Sequence, residues 1–508
     1  MRKIFHPWLL AIFPTLFLFQ HNIDQTNVSE TVLPLLITVL FVSVLWRVLL
    51  LVLKDLEKSG VLVSLFLVLF FSFGHIFNLV KNLWGLPNIY QLLLYLQICL
   101  FLVALYLSWK TERKFKNVTS FLNISSAILV IISLFNCLWF VYATKTFESQ
   151  HVAQNGQSNI SQKPDIYYII MDGYARNDTL KSIYNYDNKL FLSFLRDKGF
   201  FVADKSRSNY PQTYLSLASS LNLAYLDFLQ RQLGEDYRSR TPLKKLIRNN
   251  STTRFLKKQG YQFWAFSTGY SGTELTNADY YLAPNKYSIS EFQQVWMNTT
   301  PLVKISYAPI LNLIVEDNHT AHRKRILYTL DKMGNLRNPV PKFVFAHLVC
   351  PHPPFVFDRQ GNLPQHTFSL KDHEKKEGKN VQWYIEGYRN QVDFLNQKLQ
   401  NTINKILKKS HNSIIIIQAD HGPSLQTNWK NHKATNLNEK FNILNAYYFP
   451  NQKYQNLYPE ISPVNSFRII LNDYFSLKLD LLPDESYFAS WAYPYNFIKI
   501  TEEDFGRK

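Results

Sequence analysis

Cysteine is nearly missing from this sequence, with three in 508 residues. Cys99 and Cys137 lie in apolar runs and Cys350 stands alone outside them, which excludes a disulfide framework. Acidic residues are outnumbered, 37 Asp and Glu against 55 Lys and Arg, for a formal charge of +18. That balance suits anionic lipid headgroups or phosphorylated substrates. Nucleic acid is disfavoured as a partner, because the basic residues are scattered and no nucleic-acid-binding motif accompanies them. Internal repeats and low-complexity tracts are also missing. No small-residue cleavage site follows the first apolar run, residues 8–20. That run, with Arg2 and Lys3 before it, reads as an uncleaved span rather than a signal peptide.

What is abundant is apolar length at the N-terminus. Residues 1–145 read as a transmembrane domain with five runs, 8–20, 31–53, 60–80, 89–109 and 118–143; the first is short and contains Pro14. Basic residues set the direction. Arg2 and Lys3 precede the first run, Lys54 and Lys58 follow the second, and Lys110, Arg113, Lys114 and Lys116 precede the fifth. The loops between, 21–30 and 81–88, share a single Lys. Ends rich in Lys and Arg stay in the cytoplasm. Five spans starting inside place everything after Ala143 on the extracytoplasmic side of a cell membrane. Residues 1–145 hold 11 basic and 5 acidic side chains, so +12 of the net charge falls on the remainder.

Residues 146–163 are polar and read as a linker, and 164–508 as a globular domain. Alternating strand-like and helix-like stretches in that domain predict an α/β/α sandwich. Asp165–Met171 ends in Asp172-Gly173, Phe343–Val349 in Pro351-His352-Pro353-Pro354, and Ile414–Ile417 in Asp420-His421-Gly422. Runs of β-branched residues belong in a sheet covered on both faces, and such sheets collect ligands beyond the carboxyl ends of their strands. Helices are expected at 179–198, 241–258 and 380–408, the last with an apolar stripe from Val381 to Ile406. Asp279–Pro301 reads as irregular.

Three strand ends therefore carry candidate ligands. Asp172, Asp420 and His421 offer carboxylate and imidazole donors for a divalent cation, although each is also an ordinary turn or cap residue. Thr213 stands where the extended Tyr210-Pro211-Gln212 enters a helix. It either caps that helix or, beside a cation and free backbone N–H groups, presents a nucleophilic hydroxyl to a phosphoryl group. His352, between prolines in a loop, suits an acid or a phosphate clamp. His347 reads as a core histidine or a substrate contact, Arg176 as a phosphate ligand or half of a surface ion pair. His432 reads as a loop histidine within reach of the site.

The order strand-Asp-Gly, Tyr-Pro-x-Thr before a helix, Pro-His-x-Pro after a strand, then strand-Asp-His-Gly resembles the alkaline phosphatase superfamily. Within it the chain is similar to the membrane-anchored sulfatase-like branch, the lipoteichoic acid synthases and lipid A phosphoethanolamine transferases. Asp172-Gly173-Tyr174-Ala175-Arg176 with Tyr184-Asn185-Tyr186, and the Phe255–Tyr261 stretch, resemble further segments of that branch. The resemblance implies a five-helix transmembrane bundle followed by an α/β/α sandwich of alkaline phosphatase/sulfatase type. It implies a zinc or manganese ion held by Asp172, Thr213, Asp420 and His421. Thr213 and His352 would be catalytic, with Arg176, His347 and His432 at the substrate.

The activity implied is transfer of a phosphoethanolamine- or phosphoglycerol-type headgroup. The donor is an anionic phospholipid, the acceptor a cell-surface glycan or lipid, and the intermediate a phospho-threonine. Hydrolysis at the same membrane face is the alternative, and a non-catalytic membrane scaffold the second. Two positions depart from the pattern. Thr213 stands where sulfatases carry the Cys or Ser that becomes formylglycine, which disfavours sulfate-ester hydrolysis. Asn396 stands near a helix Asp of the family, which leaves a second metal site incomplete.

The Lys and Arg asymmetry has a direct test. A reporter active only outside the cytoplasm should work when fused after Lys163 and fail when fused after Lys116. The reverse pattern would sink the orientation.

Overall fold

The computed structural model describes residues 3–23, 26–84, 89–143, 163–284, 289–302, 318–364, 379–410 and 412–506. Its chain divides into two compact units, Met1–Lys145 with Lys286–Asn318, and Thr146–Asn285 with His319–Lys508. The linker expected at 146–163 lies, apart from Lys163, outside the described residues.

The first unit contains α1 (His6–His21), α2 (Ser29–Leu53), α3 (Leu56–Trp84), α4 (Ile89–Lys110) and α5 (Lys116–Ala143). Among the described residues four helices, α2 to α5, are long and apolar enough to cross a membrane. The expected first span is a helix, but its 16 residues rise only about 24 Å against a hydrocarbon core of about 30 Å. Large apolar side chains point outward, with Leu51 78 % and Tyr142 79 % exposed. Acyl chains tolerate such a surface and water does not. Two polar pairs lie inside: Asn123 Oδ1 accepts from the backbone N–H of His6 at 3.0 Å, and His6 Nδ1 lies 2.6 Å from Ser64 Oγ. This ties α1 into the unit.

A helix far along the chain, Glu291–Asn298, also folds with this unit. Its capping box of Ser290 and Gln293 is a local sequence signal. Trp296 Nε1 donates to Thr15 Oγ1 at 3.0 Å, and the backbone N–H of Gly74 donates to Thr299 O at 2.9 Å. The stretch expected to be irregular thus holds an ordered helix.

The second unit is built on seven strands: β1 (Asp165–Met171), β2 (Phe201–Val202), β3 (Gln262–Phe266), β4 (Tyr280–Leu282), β5 (Lys342–Leu348), β6 (Ser413–Gln418) and β7 (Asn445–Tyr448). Their order is β2-β7-β6-β1-β5-β3-β4, parallel except at β7. The alternation of β1 explains the layers. Tyr167, Ile169 and Met171 join one core, with Tyr388, Leu395 and Ile403 of the Lys379–Lys409 helix. Ile166, Tyr168 and Ile170 join the other, with Leu215 of the Thr213–Asn222 helix and Phe467 of the Pro463–Phe475 helix. Four isoleucines of β6 divide between the two faces in the same way.

Two expected helices are each two helices. The first breaks at Asn185, whose φ of 47° is a left-handed conformation that Asn tolerates, separating Asn177–Tyr184 from Lys189–Asp197. The second breaks where Asn250 Oδ1 accepts from the backbone N–H of Thr253 at 2.7 Å, so Ser251–Lys258 starts anew after Thr241–Arg248.

Leu395 is fully buried in the first core. Leu395→Ala should destabilise the second unit by about 2–5 kcal/mol, read as a lower melting temperature.

Candidate functional site

β6, β1 and β5 lie side by side at the centre of the sheet, with Ile170 of β1 in register with Gln418 and His347. Asp172 and Asp420 follow just beyond. The chain turns at Gly173, whose φ of +73° favours glycine. Tyr388 holds that turn, its hydroxyl donating to Gly173 O at 2.8 Å and accepting from Ala175 N–H at 3.0 Å. At Gly422 a Cβ would fall against the carbonyl oxygen of Glu439. Only glycine fits there.

Asp172, His347 and Asp420 are buried, and each offers a donor atom within 4.8 Å of the others. His347 Nε2 lies 3.4 Å from Asp172 Oδ2. His421 Nε2 lies 3.5 Å from Asp420 Oδ2, 3.8 Å from Asp172 Oδ1 and 3.2 Å from Thr213 Oγ1. The far sides of both rings fix where their protons sit. His347 Nδ1 is 2.8 Å from Thr273 Oγ1, whose hydroxyl donates to Thr268 Oγ1, which donates to Glu274 Oε2 at 2.9 Å. The His347 proton therefore belongs on Nδ1, toward Thr273. His421 Nδ1 lies 2.8 Å from Gly422 O and 3.2 Å from Lys440 Nζ, and the nearer partner, a carbonyl that can only accept, places the proton on Nδ1. Both Nε2 lone pairs then face the two carboxylates.

Asp172 Oδ1, Asp420 Oδ2 and His347 Nε2 are buried and lack hydrogen-bond partners. Unpartnered buried acceptors carry a desolvation cost, and here they converge. A divalent cation satisfies all of them at once, so the residues fit such an ion. Mixed carboxylate and imidazole donors suit zinc or manganese without separating the two.

The electrostatics agree. Burial, with Asp172 beside it, pushes the Asp420 carboxyl up to about 6. Burial acts the same way on Asp172, but His352, His347 and His421 outweigh it and hold that carboxyl below the usual range. Burial, and then the neighbouring Lys440, depress the His421 imidazole strongly.

Thr213 is the first residue of its helix, and the cap position falls to Gln212, whose side chain makes no capping bond. Its hydroxyl instead meets His421. His352 is half-buried, with Nδ1 donating to Pro353 O at 2.6 Å and its backbone N–H donating to Asp172 O at 3.0 Å. His347, read as a core histidine or a substrate contact, stands among the carboxylates. Arg176 is engaged elsewhere: it forks onto Asp178 at 2.9 and 2.6 Å and donates to Ser206 O. His432 packs its ring 6.0 Å from that of Phe488. Asn396 accepts from Tyr174 OH at 2.7 Å and donates to Asn188 Oδ1 at 2.9 Å, a structural network.

Sequence reasoning missed Lys440. It is fully buried, with Nζ 3.2 Å from His421 Nδ1 and donating to Ser424 Oγ at 2.8 Å. Nothing in Leu437–Phe441 singles it out. Thr273 was also missed, although its place in the loop after β3 is a strand-end signal.

Donor groups at the carboxyl ends of adjacent parallel strands, facing a hydroxyl at a helix entrance, define an α/β/α hydrolase or transferase. Comparison narrows the class. A family model described as Sulfatase matches residues 164–467, more than half of the chain, and the chain belongs to that family. No curated protein matches it. Among solved structures it is similar to the zinc complex of the C-terminal periplasmic domain of EcEptC from Escherichia coli, at 11 % identity over 70 % of this chain and 99 % of that one, TM-score 0.43. It is also similar to lipooligosaccharide phosphoethanolamine transferase A from Neisseria meningitidis, at 11 % identity over 92 % and 95 %, TM-score 0.39. A 2-O GAG sulfatase matches at 13 % identity over 66 % and 74 %, TM-score 0.40.

A carboxyl raised by burial binds its proton more tightly folded than unfolded. Its contribution to stability is present below its unfolded value and lost as pH rises toward about 6. In chelator-treated protein, Asp420→Asn should therefore raise the melting temperature at about pH 7.5 and change it little at about pH 4. Zinc or manganese should stabilise the parent chain and not the variant. Stoichiometric metal in purified Asp420→Asn would contradict the assignment.

Proposed function

We propose that this sulfatase-family enzyme is a membrane-bound, metal-dependent phosphotransferase working at the extracytoplasmic face. It takes a phosphoethanolamine- or phosphoglycerol-type headgroup from a phospholipid and passes it to a surface glycan or lipid. One observation carries the reading: the Thr213 hydroxyl, at the first position of a ten-residue helix, lies 3.2 Å from His421 Nε2 beside two buried carboxylates.

Asp172, Asp420, His421 and Thr213 would hold the cation, and His347 is placed to join them. Such an ion lowers the pKa of a neighbouring hydroxyl and offsets charge on a phosphoryl group. Thr213 Oγ1 releases its proton to bulk water and attacks the donor phosphorus as the bond to the diacylglycerol oxygen breaks. The first-turn N–H groups of its helix favour the phosphoryl oxygens. His352, held at Nδ1 by Pro353 O, presents Nε2 to give the leaving oxygen its proton. A threonine ester of the headgroup results. In the second half an acceptor oxygen forms its bond to the phosphorus as the Thr213 Oγ1–P bond breaks, and the acceptor's proton returns to Thr213 Oγ1.

Thr213→Ala should abolish turnover and the covalent intermediate, a loss of at least about 10³-fold. The melting temperature should barely move, because no capping bond is lost. Thr213→Ser keeps a hydroxyl and should retain part of the activity. Incubation with phosphatidylethanolamine, mass spectrometry of the Thr213 peptide and an acceptor assay together check the reading, and an active Thr213→Ala enzyme overturns it.

A further inference from the structure

At the amino-terminal end of the sheet, opposite the carboxylates, the second unit holds a cavity of about 910 Å³. Asp165, which opens β1, and Lys342, which opens β5, both line it. The seven residues of β1 span roughly 20 Å, so an occupant touches none of the groups described above. Four cations face the cavity, Lys163, Arg337, Lys342 and Lys409, against one carboxylate, Asp165. Lys342 is buried and paired with Asp165, so those two cancel. The other two lysines meet neutral oxygens: Lys163 Nζ donates to Gln259 O at 2.6 Å, and Lys409 Nζ to Gly334 O at 2.8 Å and Asn335 Oδ1 at 3.2 Å. These bonds orient the ammonium groups and leave their charge uncompensated. Arg337 is exposed and, among the described residues, its guanidinium has neither a hydrogen bond nor an ion pair. Burial, and then the charges of Arg337, Lys405 and Lys342, hold the Lys409 ammonium below the usual lysine value, as crowded like charges do.

Helix ends account for part of this charge. The helices Asn318–Met333 and Lys379–Lys409 both finish at the cavity, whose lining includes Gly334 and Ser410, the residues that follow them. Each carbonyl end carries about half a negative charge, so the pair offsets about one of the three uncompensated cations and leaves about two. We propose that the cavity binds a phosphate monoester. Such a group carries about −1.5 to −2 at neutral pH, which matches the charge left over, whereas a phosphodiester or a single carboxylate carries only one. The Arg337 guanidinium offers a planar fork to two phosphate oxygens, and Lys163 and Lys409 add compact charges beside it. A phosphate alone fills little of the volume, which falls within the roughly 300–1,000 Å³ of small-molecule sites. Leu336, Pro339 and Ile406 give the remainder an apolar wall for the body of the ester.

The same dianion is presented by a free small ester and by a lipid that ends in a phosphate monoester, and the cavity recognises the chemistry that the two share. The site is separate from the reaction at Thr213, and its test needs no turnover.

The full chain in dodecyl maltoside is titrated calorimetrically with glycerol 3-phosphate, dimethyl phosphate and glycerol. Glycerol 3-phosphate should bind, dimethyl phosphate should bind about tenfold more weakly or less, and glycerol should give no heat. Arg337→Gln should weaken glycerol 3-phosphate about tenfold without lowering the melting temperature, since no bond within the chain is lost, and Arg337→Lys should weaken it less. Thr213→Ala should bind it as the parent does, which separates this cavity from the reaction centre. The source of the phosphate is read in phosphatidylcholine nanodiscs with and without phosphatidic acid. Displacement of glycerol 3-phosphate by phosphatidic acid assigns the site to a lipid, and undisturbed binding assigns it to a free ester; both support the site. Equal affinity of the parent and Arg337→Gln overturns the proposal. So does failure of the parent to bind glycerol 3-phosphate, or binding that Thr213→Ala abolishes.

Discussion

The site of the second unit is a local conflict: two carboxylates and the His347 lone pair share one buried point, with His421 Nε2 3.5 Å from Asp420. Left alone, such an arrangement repels itself. The molecule tolerates it because each donor is held from behind. His347 is fixed through Thr273, Thr268 and Glu274, His421 through Gly422 O, and Asp420 by the backbone N–H groups of Gly173 and His421 at 3.1 and 2.9 Å. These bonds orient lone pairs that would otherwise rotate toward other partners. A cation turns the conflict into binding energy, whereas a proton on Asp420 relieves it only below about pH 6.

The sheet brings the donors together because β6, β1 and β5 are neighbours in space while more than 170 residues apart in places along the chain. That adjacency was legible only in part. The three strands were readable because their residues are apolar on both faces, and Asp172, His352, Asp420 and His421 because they stand just past strand ends. His347 was obscured by its own strand. Flanked by Ala346 and Leu348, it carries no local mark of function, and only the register with Ile170 brings it level with the carboxylates. Lys440 was hidden for the same reason. It sits in a short helix whose approach to His421 depends on the backbone contact at Gly422.

The misread helices share a cause. Apolar periodicity continues across Asn185 and across Asn249-Asn250, so a pattern of period 3.6 does not register the break. At Asn250 the interruption comes from a side chain bonding nearby backbone, and at Asn185 from a left-handed backbone turn, neither of which periodicity reports. The Glu291–Asn298 helix failed differently. Its local signals were sound, but nothing in them says that Trp296 finds Thr15 in the first unit.

Transfer and hydrolysis differ in whether water reaches the threonine ester before the acceptor does. Thr213 is only 8 % exposed. The Tyr214 and Tyr270 rings meet at a tilt with centroids 5.2 Å apart, and Tyr270 lies 6.4 Å from the His347 ring. An aromatic wall around a buried hydroxyl keeps free water scarce, and scarce water both strengthens the electrostatics on the phosphoryl group and protects a covalent intermediate from hydrolysis. An acceptor held by its own contacts then competes on favourable terms, since binding supplies the proximity that a dilute water molecule lacks. On the mechanism proposed above, the burial of Thr213 would favour transfer over hydrolysis whichever headgroup is carried.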